Sequence, residues 1–289
     1  MAASGIRRTL DVSGYDLRLA LPLAAFFAAF FLAPLAVLVA LSFQTDTSGA
    51  HWGVTQYVQF LGDPFSLGVL ASTLWLGVKV TAVCLFFGWP VAWLHARSGS
   101  FGKSVIMLIV LLPLLTSVVV RTFAWIVILG RQGIVNSTLM SLGLVDTPLK
   151  LLYTDLGVVV ALAQVQMPLM VLPLATALAR IDPNLVAASE VLGAGAWRTF
   201  AKVILPLSLP GIVAGSMLTY AASITAFITQ SLIGGGQMLF MPMYLYQQAS
   251  TLQNWPFAAA ISIVFLVAVL AVVTVFNTLG RLSRGLAQG

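Results

Sequence analysis

The stretch Asp182–Pro206, DPNLVAASEVLGAGAWRTFAKVILP, lies between two long apolar runs and contains Glu190, the only glutamate in the chain. Asp182 and Pro183 form a helix start: an N-cap acceptor, then proline at the first helical position, where its missing N–H leaves nothing unpaired. Leu185, Ala188, Ser189 and Leu192 recur at i, i+3, i+4 and i+7, which predicts one face of a short helix. Gly193 and Gly195 break it. Trp197 to Ile204 predicts a second short helix. Trp197, Phe200, Ala201 and Ile204 supply its apolar side, and Arg198 and Lys202 share the polar one. Pro206 and Pro210 mark the return to apolar sequence. A polar helix–glycine–helix island in an oily chain suits contact with a soluble partner. A plain interfacial loop fits the same residues.

The rest of the sequence makes the island meaningful. The chain has 289 residues, is 60% hydrophobic and only 8% charged, and has a mean hydropathy of +1.03. Soluble domains carry about 25% charged residues. The expectation is therefore an all-α polytopic membrane protein with one domain, 1–289, and no linker. A helix needs about 20 apolar residues to cross the hydrocarbon core. Six runs qualify: Ala20–Phe43, Leu67–Leu94, Val105–Leu129, Gly157–Leu178, Leu207–Thr229 and Phe257–Leu279. The first is too long for a signal-peptide core and lacks a clear cleavage site, so it counts as a span.

Lys and Arg set the orientation. One set of connections holds Arg7, Arg8, Arg18, Arg97, Lys103, Arg180, Arg198, Lys202, Arg281 and Arg284, and the other holds only Arg131 and Lys150. Both termini and the Asp182–Pro206 segment are therefore expected in the cytoplasm. The other side then carries Asp46, Asp63, Asp146 and Asp155. Its loops, near Gln44–Ser66, Gly130–Leu156 and Gln230–Pro256, have room for short interfacial helices. Trp52, Tyr57, Tyr153, Trp255 and Phe257 suit an aromatic belt there.

Several classes are disfavoured. The net charge of +6 reads as a topology signal rather than a nucleic-acid footprint. Cys84 is the only cysteine, so no internal disulfide can form. His51 and His95 fall on opposite sides, and no cluster has metal-ligand spacing. There is no GxxxxGK[ST] loop, so ATP binding by the chain itself is not expected. A membrane enzyme would need a nucleophile–base pair or a metal cluster in one leaflet.

A solute path would draw on polar or aromatic residues within spans, because intramembrane ionisable groups usually face the bundle interior or a cavity. Arg121 and Trp125 are four apart in the third run. Gln164 and Gln166 lie in the fourth. Ser216, Tyr220, Ser223 and Phe227 read as one face of the fifth. Interhelical hydrogen bonding and packing account for each of these equally well. Gly211 to Gly215 is a GxxxG pattern, which favours close helix packing. Lys79 is a second cation within a span.

At this point the residues resemble a known family. The polar segment resembles the EAA loop of permease subunits of ATP-binding-cassette (ABC) importers: E-A-A, three residues, G, nine residues, I-x-L-P. Aligned on Gly193, this chain reads Ala187-Ala188-Ser189, then Gly193, then Val203-Ile204-Leu205-Pro206. The family's leading glutamate is Ala187 here. Glu190, three residues on, either takes over its contact or is simply solvated. Gly88-Trp89-Pro90-Val91-Ala92-Trp93 and Arg121-Thr122-Phe123-Ala124-Trp125 resemble further family elements. Leu144-Val145-Asp146-Thr147-Pro148-Leu149 and Asn254-Trp255-Pro256-Phe257-Ala258-Ala259-Ala260 resemble the spermidine/putrescine branch.

The resemblance implies a type I importer permease in the bacterial inner membrane that forms half of a solute path. Its implied partners are a second permease, two ATPase subunits that hold the ATP and Mg, a solute-binding protein and membrane lipid. No cofactor, catalytic site or nucleic acid is implied for this chain. ATPase coupling falls to Ala187, Ala188, Ser189, Glu190, Gly193, Leu205 and Pro206. The branch implies a polyamine as solute. Another small charged or zwitterionic solute is the alternative, because no acidic residue lies mid-span while Lys79 and Arg121 do. A gradient-driven secondary transporter would instead show internal repeats, and none is clear.

Overall fold

The computed structural model describes residues 17–46 and 51–286. Arg7, Arg8 and both chain ends, which contribute to the orientation argument, lie outside the described residues. Fourteen α-helices occur among those described. Six apolar stretches are long enough to cross a bilayer: Leu21–Ser42, Pro64–Arg97, Val118–Ser141, Asp155–Ala179, Ala196–Ile224 and Trp255–Thr278.

Helix α1 (Leu17–Phe27) continues through a π turn into α2 (Ala33–Ser42). The short α3 (Thr55–Gly62) follows and leads into α4 (Pro64–Arg97). Asp63 caps α4, accepting hydrogen bonds from the Phe65 and Ser66 amides at 3.2 and 3.0 Å and from the Ser66 hydroxyl at 2.6 Å. The Ser66 hydroxyl and amide hold the Asp63 carboxyl below the usual carboxylate range.

Next come α5 (Ser100–Leu115), α6 (Val118–Leu129), the short α7 (Ile134–Ser141) and α8 (Asp155–Ala179). After the polar segment, which forms α9 (Pro183–Val191) and α10 (Ala196–Thr199), the chain continues as α11 (Leu205–Ile224) and α12 (Phe227–Gly234). The short α13 (Met241–Tyr246) and the long α14 (Trp255–Leu286) complete the fold. The short α3, α7 and α13 lie in the three long connections in which interfacial helices were expected, and α12 begins earlier, at Phe227, within the expected fifth run. Phe257 departs from the belt expectation: it is buried against Tyr244 in the core.

The core is the mutual contact of α4, α8 and α11. Helix α8 is apolar on nearly all sides and therefore buries itself between the other two. Leu76, Val80 and Cys84 of α4 meet Leu162, Met170 and Leu174 of α8 in one cluster. A second cluster joins Phe60, Tyr220, Ile224, Met241, Phe257 and Ile261.

Close approach depends on three glycines. A Cβ on Gly211 would lie 2.6 Å from Ala177 Cβ and 2.8 Å from Pro173 O. One on Gly215 would lie 2.9 Å from Met170 Sδ, and one on Gly77 would lie 2.5 Å from the Ile224 side chain. The GxxxG pattern is thus the α8–α11 contact, as small-residue packing in membranes requires.

Three sequence expectations need correction. The run Leu207–Thr229 is not one helix, because α11 ends at Ile224 and Phe227–Thr229 belong to α12. The run Val105–Leu129 is not one helix. It breaks at Thr116 and Ser117, whose ψ angles are 148° and 132°. Pro113 deprives the end of α5 of a backbone donor, and past the break the Pro113 carbonyl accepts from the Thr116 hydroxyl at 3.0 Å and from Arg121 Nη1 of α6. Conversely, Trp197–Ile204 is not a separate helix. Helix α10 continues through a π turn at Phe200–Ile204 directly into α11. In that wider turn the Leu205 amide bonds Phe200 O. This accommodates Pro206, which lacks a donor of its own.

Candidate functional site

The polar segment is shaped by its caps. Asp182 Oδ1 accepts from the Asn184 amide at 2.9 Å, starting α9. At the other end Gly193 has φ +75°. Its amide donates to Glu190 O at 2.9 Å and the Ala194 amide donates to Ser189 O at 3.0 Å. This pair of bonds is the Schellman closure, and it needs a residue that tolerates positive φ. No atom lies within 4 Å of a Cβ built on Gly193. The glycine is therefore required by the turn, not by crowding within the chain.

The faces of α9 differ from the sequence expectation. Val186 packs on the core, and the Ser189 hydroxyl shares a 2.8 Å hydrogen bond with Thr199 of α10. Ser189 thus faces inward, while Leu185 and Ala188 face outward. Val191, Leu192 and Trp197 are 88%, 87% and 77% exposed. Large apolar side chains left this open on a polar segment need a partner.

Ala187 and Glu190 line a cavity of about 600 Å³ beneath α9, together with Trp93, Arg97 and Ile204. An adjoining cavity of about 310 Å³ shares Trp93, Arg97 and Glu190 and has an aromatic wall: Trp89 stacks on Trp93 with ring centroids 5.5 Å apart and meets Phe200 edge-on at 4.8 Å. The Arg97 guanidinium sits 4.0 Å from the Trp93 ring centre. Leu205 and Pro206 are partly buried at the root of α11.

Deeper in the bundle the two helix breaks meet. Helix α5 ends at Thr116, and α11 ends at Thr225, where φ and ψ are −97° and 0°. Both breaks border one cleft of about 490 Å³, lined also by Arg121, Gln166, Ala226 and Phe227. Irregular backbone at membrane depth is tolerated where it lines a cavity. Arg121 Nη1 reaches Pro113 O and lies 3.4 Å from Thr116 Oγ1. Gln166 Nε2 donates to Ala222 O at 3.2 Å. Across the cleft rim, the Thr122 and Thr229 hydroxyls share a 3.3 Å bond.

The other proposed path residues lie elsewhere. Trp125 Nε1 donates to Gln164 Oε1 at 3.2 Å. That pair borders a separate, apolar cleft of about 570 Å³ with Val83, Phe87 and Met167. Tyr220 is fully buried, against Gly77 and Phe276. Ser216 and Ser223 are buried too. The face from Ser216 to Phe227 is not continuous, because the break at Thr225 puts Phe227 on another helix. Thr116 and Thr225, which border the cleft, escaped sequence reading because no glycine marks either break. Lys79 is not a free charge: it pairs with Asp155 at the start of α8.

The comparisons agree on what this architecture is. Residues 84–283 match the family described as "Binding-protein-dependent transport system inner membrane component". The chain belongs to this family. It is a multi-pass inner-membrane permease of an ABC importer. It is 30% identical to the spermidine/putrescine transport system permease protein PotB of Haemophilus influenzae, over 81% of this chain and 83% of that one. Identity to PotB of Escherichia coli K12 is 31%, over 70% and 73% of the two chains. The molybdenum transport system permease ModB of Haemophilus influenzae is 33% identical over 61% of this chain and 80% of its own length. The permease fold also superposes on a bacterial ABC transporter that imports the acidic polysaccharide alginate, with a TM-score of 0.72 at 20% identity, covering 92% and 94% of the two chains.

Proposed function

We propose that this permease conducts a polyamine of the spermidine/putrescine type, delivered by a solute-binding protein and driven by two ATPase subunits. A second permease completes the path. The observation that carries the solute assignment is the identity to PotB relatives over most of both chains. Both termini and Asp182–Pro206 face the cytoplasm, on the Lys and Arg bias.

The ATPase docks on the outward face of α9, where Ala188, Leu185, Val191 and Leu192 await a partner. Ala187 and Glu190 respond from the cavity side, and Glu190 supplies the carboxylate that Ala187 lacks. Ser189, Gly193, Leu205 and Pro206 make the segment rigid. Helices α10 and α11 form one rod, so a push on α9 travels through the Ser189–Thr199 bond into α11 and reaches the break at Thr225. ATP and Mg act in the ATPase partner. Such a push shifts the membrane pair only if the partner's contacts differ between its states.

The solute passes the cleft between the two breaks, where Arg121, Gln166 and Phe227 line the way. Trp125 and Gln164 brace α6 on α8 beside it, and Tyr220 and Ser223 hold α11 in the core. A deletion of the gene in its native strain, complemented with the wild-type copy, tests the solute. Loss and restoration of labelled spermidine or putrescine uptake is the expected result. Unchanged polyamine uptake in the deletion would overturn the assignment. A second reading, a small anionic solute, draws on the Arg121 guanidinium in the cleft and would show as lost anion uptake in the same strain.

A further inference from the structure

We propose that Arg121 is a tethered stand-in for the transported cation, occupying the acceptor station that an ammonium group uses as it passes. This rests on the polyamine reading above. The cleft between the breaks has no carboxylate among its lining residues, so on this chain's side a cation meets neutral oxygens. The structure offers these at the end of α5. A helix C-terminus leaves carbonyls without partners and carries the negative end of the macrodipole. At this one, the Thr116 hydroxyl donates to Pro113 O at 3.0 Å, which leaves a lone pair on each oxygen, and both oxygens converge on a single cation, Arg121 Nη1.

The guanidinium is held from one side only. Its Nε is buried without a hydrogen-bond partner, although an arginine placed purely for structure would be expected to satisfy several of its five donors. Lys79, the cation partway along α4, is already neutralised by Asp155 and does not compete. A site filled by a displaceable internal cation binds a passing ammonium weakly. Conduction needs that weakness, since a solute held tightly midway does not leave.

The test uses the assembled importer purified from the native strain, with labelled spermidine as probe, and measures both retained label and ATP-driven uptake. Arg121→Gln removes the competing charge and leaves the oxygens. Retention should then tighten roughly tenfold, about the worth of one charge-assisted hydrogen bond, and uptake should slow by a similar factor. Arg121→Lys should stay near wild type in both. Retention and uptake unchanged in Arg121→Gln would overturn the stand-in role. So would a loss of retention, which would make Arg121 a direct solute contact. If Arg121→Gln fails to reach the membrane, Arg121→His repeats the comparison within one folded protein. Retention by it should be tighter than wild type at pH 8 and close to wild type at pH 5.5, and a flat profile would refute the idea. Wild-type importer that ignores spermidine but carries another solute would instead overturn the polyamine reading itself.

Discussion

Gly193→Val separates coupling from folding more cleanly than any other single change. Gly193 has φ +75°, a region in which an L-residue pays about 1–2 kcal/mol, with β-branched side chains at the upper end. Nothing lies within 4 Å of the new Cβ, so no packing penalty is added and the bundle core is untouched. The strain falls on the two closing bonds, Gly193 N to Glu190 O and Ala194 N to Ser189 O. A shift of 1–2 kcal/mol changes the ratio of closed to open turn about 5- to 30-fold. Uptake of labelled solute, normalised to permease in isolated membranes, should fall, by up to that factor. Gly193→Asn should keep most of the activity, because asparagine visits positive φ far more readily. Undiminished uptake by Gly193→Val at normal membrane level would refute the reasoning. Equal damage from Asn and Val would show that the partner's close approach, not the turn, demands glycine.

Further expectations follow from the same geometry. Gly211→Val should part α8 from α11, since its Cβ has only 2.6 Å to Ala177 Cβ. A loss of about 1–3 kcal/mol or more should appear as lower thermal stability in detergent. Ser189→Ala removes the bond to Thr199 and should cost about 0.5–1.5 kcal/mol of attachment of α9. That would lower uptake at constant membrane level, and Ser189→Thr should restore part of it. In the Lys79–Asp155 pair, Lys79→Met alone should lower thermal stability more than the double change Lys79→Met/Asp155→Leu, because a lone carboxylate at that depth is the costly state. Both groups are partly exposed, at 28% and 45%, so the difference should be modest. Asp63 has a depressed pKa in the folded state. Its stabilisation is complete above the ordinary aspartate range and is lost as pH falls through the lower folded value. Asp63→Asn should keep the cap near neutrality and flatten that acid limb in thermal unfolding scans.

Much of this fold could be read from hydropathy alone, because bilayer thickness sets span length directly. What hydropathy cannot see is a two-residue break. Thr116-Ser117 and Thr225-Ala226 carry no glycine and sit in uniformly apolar runs. Their irregularity is fixed by Arg121 reaching back eight residues and by packing between α6 and α12, which are tertiary facts. The polar segment was legible because Asp182-Pro183 and Gly193 have local mechanisms that act wherever the chain goes. Its faces were not. Ser189 shares one helical face with Leu192 by spacing, but its hydroxyl has a partner on α10, while Leu192 remains open toward solvent. Tyr220 likewise looked suited to a path by type, yet Gly77 opens a slot for its ring in the core. Whether a polar or aromatic residue in a span lines a cavity depends on which neighbour gives it room, and that neighbour can be more than a hundred residues away.

The central claim is that this chain works only as the membrane half of an ATP-driven importer. The direct measurement is solute uptake into proteoliposomes containing this permease, its second permease, the ATPase and the binding protein, with labelled spermidine outside. The account predicts uptake that needs ATP on the ATPase side and the binding protein on the other, and that stops when the ATPase is omitted. Uptake by this chain alone, driven by a proton or sodium gradient without ATP, would contradict it.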